Sequence, residues 1–105
     1  MVSRHYQRQR NKREKFIDEH FSDGYIVDEF IVDRNHPQGA ERHCLTNNSV
    51  IIIYNLRTGK LVTKLLARPQ QIKRYYEHSG KEPPLEYEQM LRLAREHTIA
   101  GYNMM

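Results

Sequence analysis

Ser49-Val50-Ile51-Ile52-Ile53-Tyr54 is the stretch that decides the fold, because it contains four consecutive aliphatic residues. Successive side chains of an extended strand point to opposite faces, so this run leaves neither face polar and predicts a strand covered on both sides. Leu56-Arg57-Thr58-Gly59-Lys60 then reads as a hairpin turn with Gly59 in a left-handed conformation, and residues 61–67 return antiparallel. We expect this hairpin, at about 49–67, to be the central strand pair of a small sheet.

Two helices are predicted after the hairpin. Pro69 suits the first turn of a helix, where its missing N–H would be unpaired anyway, and Gly80 is a typical residue at a helix end. Pro83 and Pro84 separate this helix from a last one at about 85–98. The last helix carries one apolar stripe, formed by Tyr87, Met90, Leu91, Ala94 and His97.

A strand and a basic helix are predicted before the hairpin. Residues 25–32 are rich in β-branched and aromatic side chains, and the acids Asp28 and Glu29 interrupt both faces, which favours an edge strand or a bulge. Residues 4–21 contain neither glycine nor proline and predict a helix. Its first half has almost no apolar stripe, so we expect segment 1–15 to be flexible until a partner binds.

These elements predict one α+β domain over residues 1–105. A short antiparallel sheet of three to four strands would pack against one N-terminal and two C-terminal helices. No apolar run approaches the roughly 20 residues that a membrane span requires, and no signal peptide is evident. The single cysteine, Cys44, excludes an intrachain disulfide and fits a reducing compartment. We therefore expect a cytoplasmic protein without a membrane partner.

Positive charge is concentrated in two parts of the chain, whose net charge is +4 and whose isoelectric point is near 9.3. Clustered cations attract polyanions, and nucleic acid is the commonest of these, with RNA favoured here over DNA. A solvated basic surface without a partner would give the same pattern. The residues predicted to contact nucleic acid are Arg8, Arg10, Lys12 and Arg13 near the N-terminus, and Arg57, Lys60, Lys73 and Arg74 in and after the hairpin.

The segment His36-Pro37-Gln38-Gly39-Ala40-Glu41-Arg42-His43 brings together two imidazoles, a carboxylate and a guanidinium. We place it in a loop over residues 33–43. Imidazole titrates near neutrality, so a histidine pair beside cations can exchange protons and hold phosphate. The alternative is a polar surface loop without a function.

HPQGAERH, together with VIIIYNLRTGKLVTKLLARPQQIKRYY, resembles small phage-associated proteins and, more distantly, the barnase, EndoU, colicin and RelE superfamily of ribonuclease domains. The resemblance covers about residues 25–76. It implies a helical part followed by an antiparallel sheet, and RNA cleavage that needs neither metal nor cofactor. Free toxins of the superfamily usually have a longer sheet after the histidine segment than this chain has room for.

In that reaction a base takes the proton of a ribose 2′-OH, the oxygen attacks the phosphate, and an acid protonates the leaving 5′-oxygen. The resemblance implies proton transfer by His36 and His43, with Thr63 hydrogen-bonded to the phosphate at the same catalytic site. Cations would neutralise the developing charge on the phosphate. The residues implied for this role are Arg42, Lys64 and Arg68.

Each of these roles has a structural alternative. His36 precedes a proline and suits a turn, His43 is also typical of a half-buried histidine, and Thr63 is an ordinary strand residue. Strand alternation directs Thr63 and Lys64 to opposite faces, which argues against a shared site. A zinc site at His36, His43 and Cys44 is a further alternative, although their spacing matches no common zinc pattern.

Two non-catalytic functions are also compatible with the sequence. In the first, Tyr54, Tyr75 and Tyr76 stack on bases of a bound nucleic acid. In the second, the basic surface meets an acidic patch on a host protein that this chain inhibits. A ribonuclease, a nucleic-acid-binding module and a protein inhibitor therefore remain the three hypotheses.

Overall fold

The computed structural model describes residues 4–33 and 39–102 and confirms the predicted α+β fold. One antiparallel sheet has the strand order β1-β2-β3-β4, with one helix before it and two after it. The elements are α1 (Arg4–His20), β1 (Ile26–Val32), β2 (Glu41–Thr46), β3 (Val50–Asn55), β4 (Leu61–Leu66), α2 (Pro69–Ser79) and α3 (Tyr87–Ile99).

Strand β3 is covered on both faces, as its aliphatic run predicts. Ile51 and Ile53 belong to the larger hydrophobic cluster, which α2 and α3 complete from one side of the sheet. Val50 belongs to a smaller cluster with Ile17 of α1 on the other side, and Ile52 packs against it. The sheet is therefore the middle layer, with α1 on one face and α2 and α3 on the other. We call these the α1 face and the α2/α3 face.

Strand β1 lies at one edge of the sheet and pairs with β2 alone. The register of this pair shifts between Ile26 and Asp28, which marks a bulge or irregularity. Both features agree with the acids that interrupt the strand. Asp28 accepts a hydrogen bond from the Tyr76 hydroxyl at 2.9 Å and lies 3.6 Å from Lys81 Nζ, so these contacts connect β1 to α2 and to the segment after it.

Two predictions about the strands need correction. Strand β2 begins at Glu41, so residues 41–43 lie in the sheet and not in a loop. The reason is that Glu41 pairs with Val32 on one side and with Asn55 on the other. The predicted hairpin forms as β3 and β4, but β4 is an edge strand, so β2 and β3 are the central pair.

The predicted turns and helix ends are confirmed. Gly59 has a φ of 74°, the left-handed conformation expected in the hairpin turn, and Asn55 Oδ1 accepts hydrogen bonds from the N–H groups of Arg57 and Thr58. Pro69 begins α2, and Gly80 ends it with a φ of 70°. These local signals fix where the hairpin and α2 begin and end.

His97 of α3 is a buried histidine at the contact between α3 and the end of α1. Its side chain is 3% exposed and meets the Phe21 ring edge-on at 4.8 Å between centroids. Neither ring nitrogen forms a hydrogen bond with any residue in the described ranges. Burial lowers the pKa of His97 below 6.5, and the nearby Glu96 carboxylate opposes this shift only in part.

His97 makes stability depend on pH. The unfolded chain takes up a proton at His97 below about pH 6.5, whereas the folded chain resists it. The contribution of neutral His97 is therefore complete above that pH and is lost as the pH falls through 6.5 toward the lowered folded pKa. We expect His97→Phe to flatten the pH dependence of the free energy of unfolding between pH 7.5 and 5, measured by urea denaturation. An equally steep loss in both proteins would contradict this assignment.

Candidate functional site

His43 lies on β2 with its ring inside the protein, and its side chain is 3% exposed. Its Nδ1 is 2.6 Å from the Tyr75 hydroxyl of α2, and its Nε2 is 3.1 Å from Glu41 Oε1. A neutral imidazole satisfies both contacts, because Nε2–H donates to the carboxylate and Nδ1 accepts from the hydroxyl. The ring therefore bridges the sheet to α2, and both of its nitrogens are engaged within the protein.

Thr63 and Lys64, predicted to contact a phosphate, are instead bonded to α1. The Arg13 guanidinium donates to Thr63 Oγ1 at 2.7 Å and to the Lys64 carbonyl at 3.0 Å. Lys64 Nζ lies 2.6 Å from the carboxylate of Asp18. The Arg13 guanidinium is therefore also engaged in hydrogen bonds within the protein, at edge strand β4.

Within the sheet, the predicted catalytic residues and the predicted phosphate-binding residues lie on different faces. Residues opposite each other in an antiparallel pair share a face, so the register assigns His43 and Thr63, which both pair with Ile53, to the α2/α3 face. Arg42 and Lys64, one residue away from these, belong to the α1 face. Arg13 of α1 reaches the Thr63 hydroxyl because β4 is an edge strand, where the same guanidinium also bonds the Lys64 carbonyl. A register shift between Ile53 and Tyr54 places Leu61 opposite Tyr54, so Leu61 does not share a face with Thr63 as simple alternation predicts.

Among the described residues, the predicted set adds no second acid–base group to His43. His36 lies outside the described residues. Arg68 is exposed and provides the N-cap of α2, where its backbone N–H donates to Gln71 Oε1 at 2.8 Å. The assignment of a histidine pair to RNA cleavage stays a prediction.

The zinc alternative finds no support among the described residues, where no three His, Cys, Asp or Glu side chains gather as a metal site. His43 and Cys44 are consecutive in β2, so their side chains point to opposite faces. Cys44 is buried, and its Sγ lies 3.8 Å from Glu29 Oε1. Burial and the neighbouring carboxylate raise the pKa of this thiol.

Helix α1 and strand β4 run side by side in the same direction. Arg13 contacts Thr63 and Lys64, while Ile17, one turn later, packs with Leu66. Arg8 lies about 7.5 Å before Arg13 along the helix axis, at roughly 1.5 Å per residue. Lys60 lies about 10 Å before Thr63 along the strand, at roughly 3.3 Å per residue. The basic first half of α1 therefore extends toward the β3–β4 turn.

A row of three side chains on neighbouring strands lies beside this turn. Tyr54 pairs with Arg42 on β2 and with Leu61 on β4, and all three share the α1 face. The Arg42 guanidinium carbon lies 5.2 Å from the centroid of the Tyr54 ring. The Arg42 side chain forms no hydrogen bond or ion pair with any residue of 4–33 and 39–102, and its buried Nε has no hydrogen-bond partner there. Leu61 is 44% exposed, so α1 leaves this part of the face open.

We call this surface the basic end. Arg8, Lys12, Arg57 and Lys60 are exposed, and none forms an ion pair with a described residue, whereas Arg10 pairs with Glu14 at 3.6 Å. The basic end consists of Arg8, Lys12, Arg42, Tyr54, Arg57 and Lys60.

Lys73 and Arg74, also predicted to contact nucleic acid, lie on α2 on the opposite side of the sheet. Two of the predicted stacking tyrosines are on this helix as well. Tyr76 is buried, and burial and Asp28 together raise its pKa well above 10. Tyr75 is held by His43 and stacks on Phe30 at 4.8 Å between centroids. The structure therefore separates the two predicted basic sets.

A groove of about 680 Å³ lies between edge strand β1 and helix α2, and the sequence did not predict it. We call it the β1–α2 groove. Its helix wall consists of Gln71, Arg74, Tyr75 and His78, whose spacing of three and four residues places them on one helix face. Its other wall is β1 from Glu29 to the end of the strand, and Lys81 closes one end. The helical spacing is visible in the sequence, but the packing of this helix face against β1 is not.

No protein-family model, curated protein or solved structure matches the chain. Among the described residues, no helix combines the length and the apolar composition that a membrane span needs.

The bond between Tyr75 and His43 should contribute to stability. Tyr75→Phe removes the hydroxyl at Nδ1 of a buried ring, and we expect the free energy of unfolding to fall by about 1–3 kcal/mol. Chemical denaturation measures this loss. Tyr54→Phe is the matched control, since the Tyr54 hydroxyl forms no hydrogen bond with a described residue. Equal effects of the two substitutions would show that the hydrogen bond contributes little.

Proposed function

We propose that this protein binds single-stranded RNA through the basic end. The observation that carries the proposal is the Arg42 guanidinium, 5.2 Å from the centroid of the Tyr54 ring, beside the β3–β4 turn that carries the exposed cations Arg57 and Lys60. A polyanion gains most from cations that have no carboxylate partner, and Arg8, Lys12, Arg57 and Lys60 meet that condition among the described residues. The net charge of +4 favours the same class of ligand.

Tyr54 supports a single strand over a duplex. An unpaired base exposes its flat face and can stack on an aromatic side chain or on a guanidinium, whereas a duplex buries that face. The Arg42 guanidinium beside the Tyr54 ring offers both kinds of surface at one position. The flanking cations would then follow the sugar–phosphate backbone on either side of the stacked base.

Binding, rather than cleavage by His43, is the function this geometry favours. A general acid or base must reach the proton that it transfers, and the His43 ring is buried with its nitrogens engaged by Tyr75 and Glu41. The ring also belongs to the face opposite Arg42 and Tyr54. Ribonuclease activity remains a second hypothesis that rests on the family resemblance.

The two turn cations should contribute to binding through counterion release. We expect Arg57→Ala/Lys60→Ala to weaken binding of a fluorescent single-stranded RNA and to reduce the slope of log K against log salt by about 1.4, at roughly 0.7 per phosphate contact. Fluorescence anisotropy from 50 to 300 mM salt measures both. The control is Arg92→Ala/Arg95→Ala on α3, which changes the net charge equally. Identical losses in the two variants would contradict binding at the basic end.

Cleavage is tested separately. We expect RNA to remain intact after incubation with micromolar protein in EDTA, because the basic end presents no acid–base pair among the described residues. Denaturing gel electrophoresis detects any product. Cleavage that disappears in His43→Gln, with the fold intact by circular dichroism, would instead support the ribonuclease hypothesis.

A further inference from the structure

The β1–α2 groove has one wall of unpaired backbone. Strand β1 pairs with β2 alone, so its other edge has no strand partner among the described residues. Lys81 Nζ donates to the Glu29 carbonyl, which must therefore point away from β2. Backbone groups alternate along a strand, so the N–H and C=O of Ile31 point the same way as those of Glu29. The N–H and C=O of Ile31 are therefore available to a further strand.

The helix runs antiparallel to this strand edge. Tyr75 stacks on Phe30, and Lys81, beyond the end of α2, reaches Glu29. Gln71, at the start of α2, therefore lies at the Val32 end of the groove. An extended segment laid along β1 would run beside the helix for the whole length of the groove.

Arg74 gives the helix wall of the groove an unpaired positive charge. Glu29 and Ile31 pair with Cys44 and Arg42, so their side chains lie on the α1 face, away from the groove. Arg74 and His78 are exposed on α2. Arg74 has no ion-pair partner within the described part of the chain.

Two further residues complete the charge pattern. Lys81 Nζ lies 4.9 Å from the centroid of the Phe30 ring, which is part of the groove lining. Asp33 contributes one carboxylate at the opposite end, beside Gln71. An acidic segment therefore fits the Arg74–His78 part of the groove.

We propose that the β1–α2 groove binds an extended acidic segment of a partner protein, which adds to the sheet as a fifth strand beside β1. Main-chain hydrogen bonds to Ile31 would supply affinity, and carboxylates facing Arg74 and His78 would supply specificity. This surface is separate from the basic end, so the proposal goes beyond RNA binding.

A second copy of this chain is a poorer occupant. Antiparallel pairing of two β1 strands about Glu29 or its neighbours would bring Asp28 and Glu29 close to the same acids of the other copy. Like charges facing each other across strands are destabilising. Lys81, which covers the Glu29 carbonyl, also limits the free edge, in the way that lysine commonly protects edge strands. A segment that pairs only at the Ile31 end of β1, beyond Asp28 and Glu29, avoids both obstacles.

The test is a titration of the isotope-labelled full chain with the blocked peptide Val-Glu-Val-Glu-Val-Glu-Val, followed by amide chemical shifts. We expect saturable shifts at Ile31, Val32 and along α2, and at least tenfold weaker binding to Arg74→Glu. Lys73→Glu is the matched control, because it makes the same charge change on an exposed residue of α2 that does not line the groove. Its affinity should stay within twofold of the unmodified protein.

Two control peptides separate the contributions of charge and backbone. The lysine counterpart should not bind. N-methylation of the glutamates removes the donors on one peptide edge and N-methylation of the valines removes those on the other, and one of the two should abolish binding. Absence of saturable shifts at millimolar peptide, equal weakening by the two charge reversals, or binding of the lysine peptide would overturn the proposal. Pairing of β1 with a second copy, seen as concentration-dependent shifts without peptide, would also overturn it. The RNA titration at the basic end is read independently, so either function can fail alone.

Discussion

The burial of β3 on both faces is the constraint on which the rest of the structure depends. A buried isoleucine contributes about 1.5–3 kcal/mol when it is fully removed from water, and this gain requires a packed layer against it. Ile51 and Ile53 need such a layer on one face of the sheet, and Val50 and Ile52 need one on the other. A two-layer arrangement would leave one of these pairs in water. The three-layer order of α1, sheet and two helices follows from this requirement.

The layers do not cover the sheet equally, and the two proposed binding surfaces lie where the cover ends. Helices α2 and α3 complete the larger cluster, whereas α1 packs chiefly along β4. The row at Arg42, Tyr54 and Leu61 is therefore left open beside the basic half of α1. At the opposite edge, α2 stands beside β1 without closing over it, which leaves the β1–α2 groove. Both surfaces result from one uneven arrangement of helices around the sheet.

The sequence predicts those parts of the fold that depend on local signals. The aliphatic run identifies β3, Gly59 marks the turn, Pro69 and Gly80 bound α2, and the stripe containing Met90 identifies the buried side of α3. The start of β2 could not be predicted, because residues 41–43 are polar and become a strand through pairing with neighbours on both sides. The bulge in β4 likewise depends on its pairing with β3. Because of it, Leu61 and Thr63 do not share a face as simple alternation predicts.

Site residues were harder to predict, because residue type fixes what a side chain can do but not which way it faces. His43 and Arg42 are adjacent in the sequence, and strand geometry sends them to opposite faces of the sheet. Thr63 and Lys64 are separated in the same way, and α1 then occupies both through Arg13 and Asp18. The α2 wall of the groove has helical spacing in the sequence. This wall forms a groove only because tertiary packing places β1 opposite α2.

His43 connects the interior to the β1–α2 groove. The same properties that make a histidine suitable for proton transfer, two ring nitrogens and a neutral form near physiological pH, also let it join two polar groups inside a protein. Here the ring holds the Tyr75 hydroxyl, and Tyr75 in turn stacks on Phe30 of β1. Glu41 holds the other side of the ring from within the same strand. This chain of contacts fixes the orientation of α2 relative to β1, and that orientation determines the width of the groove between them.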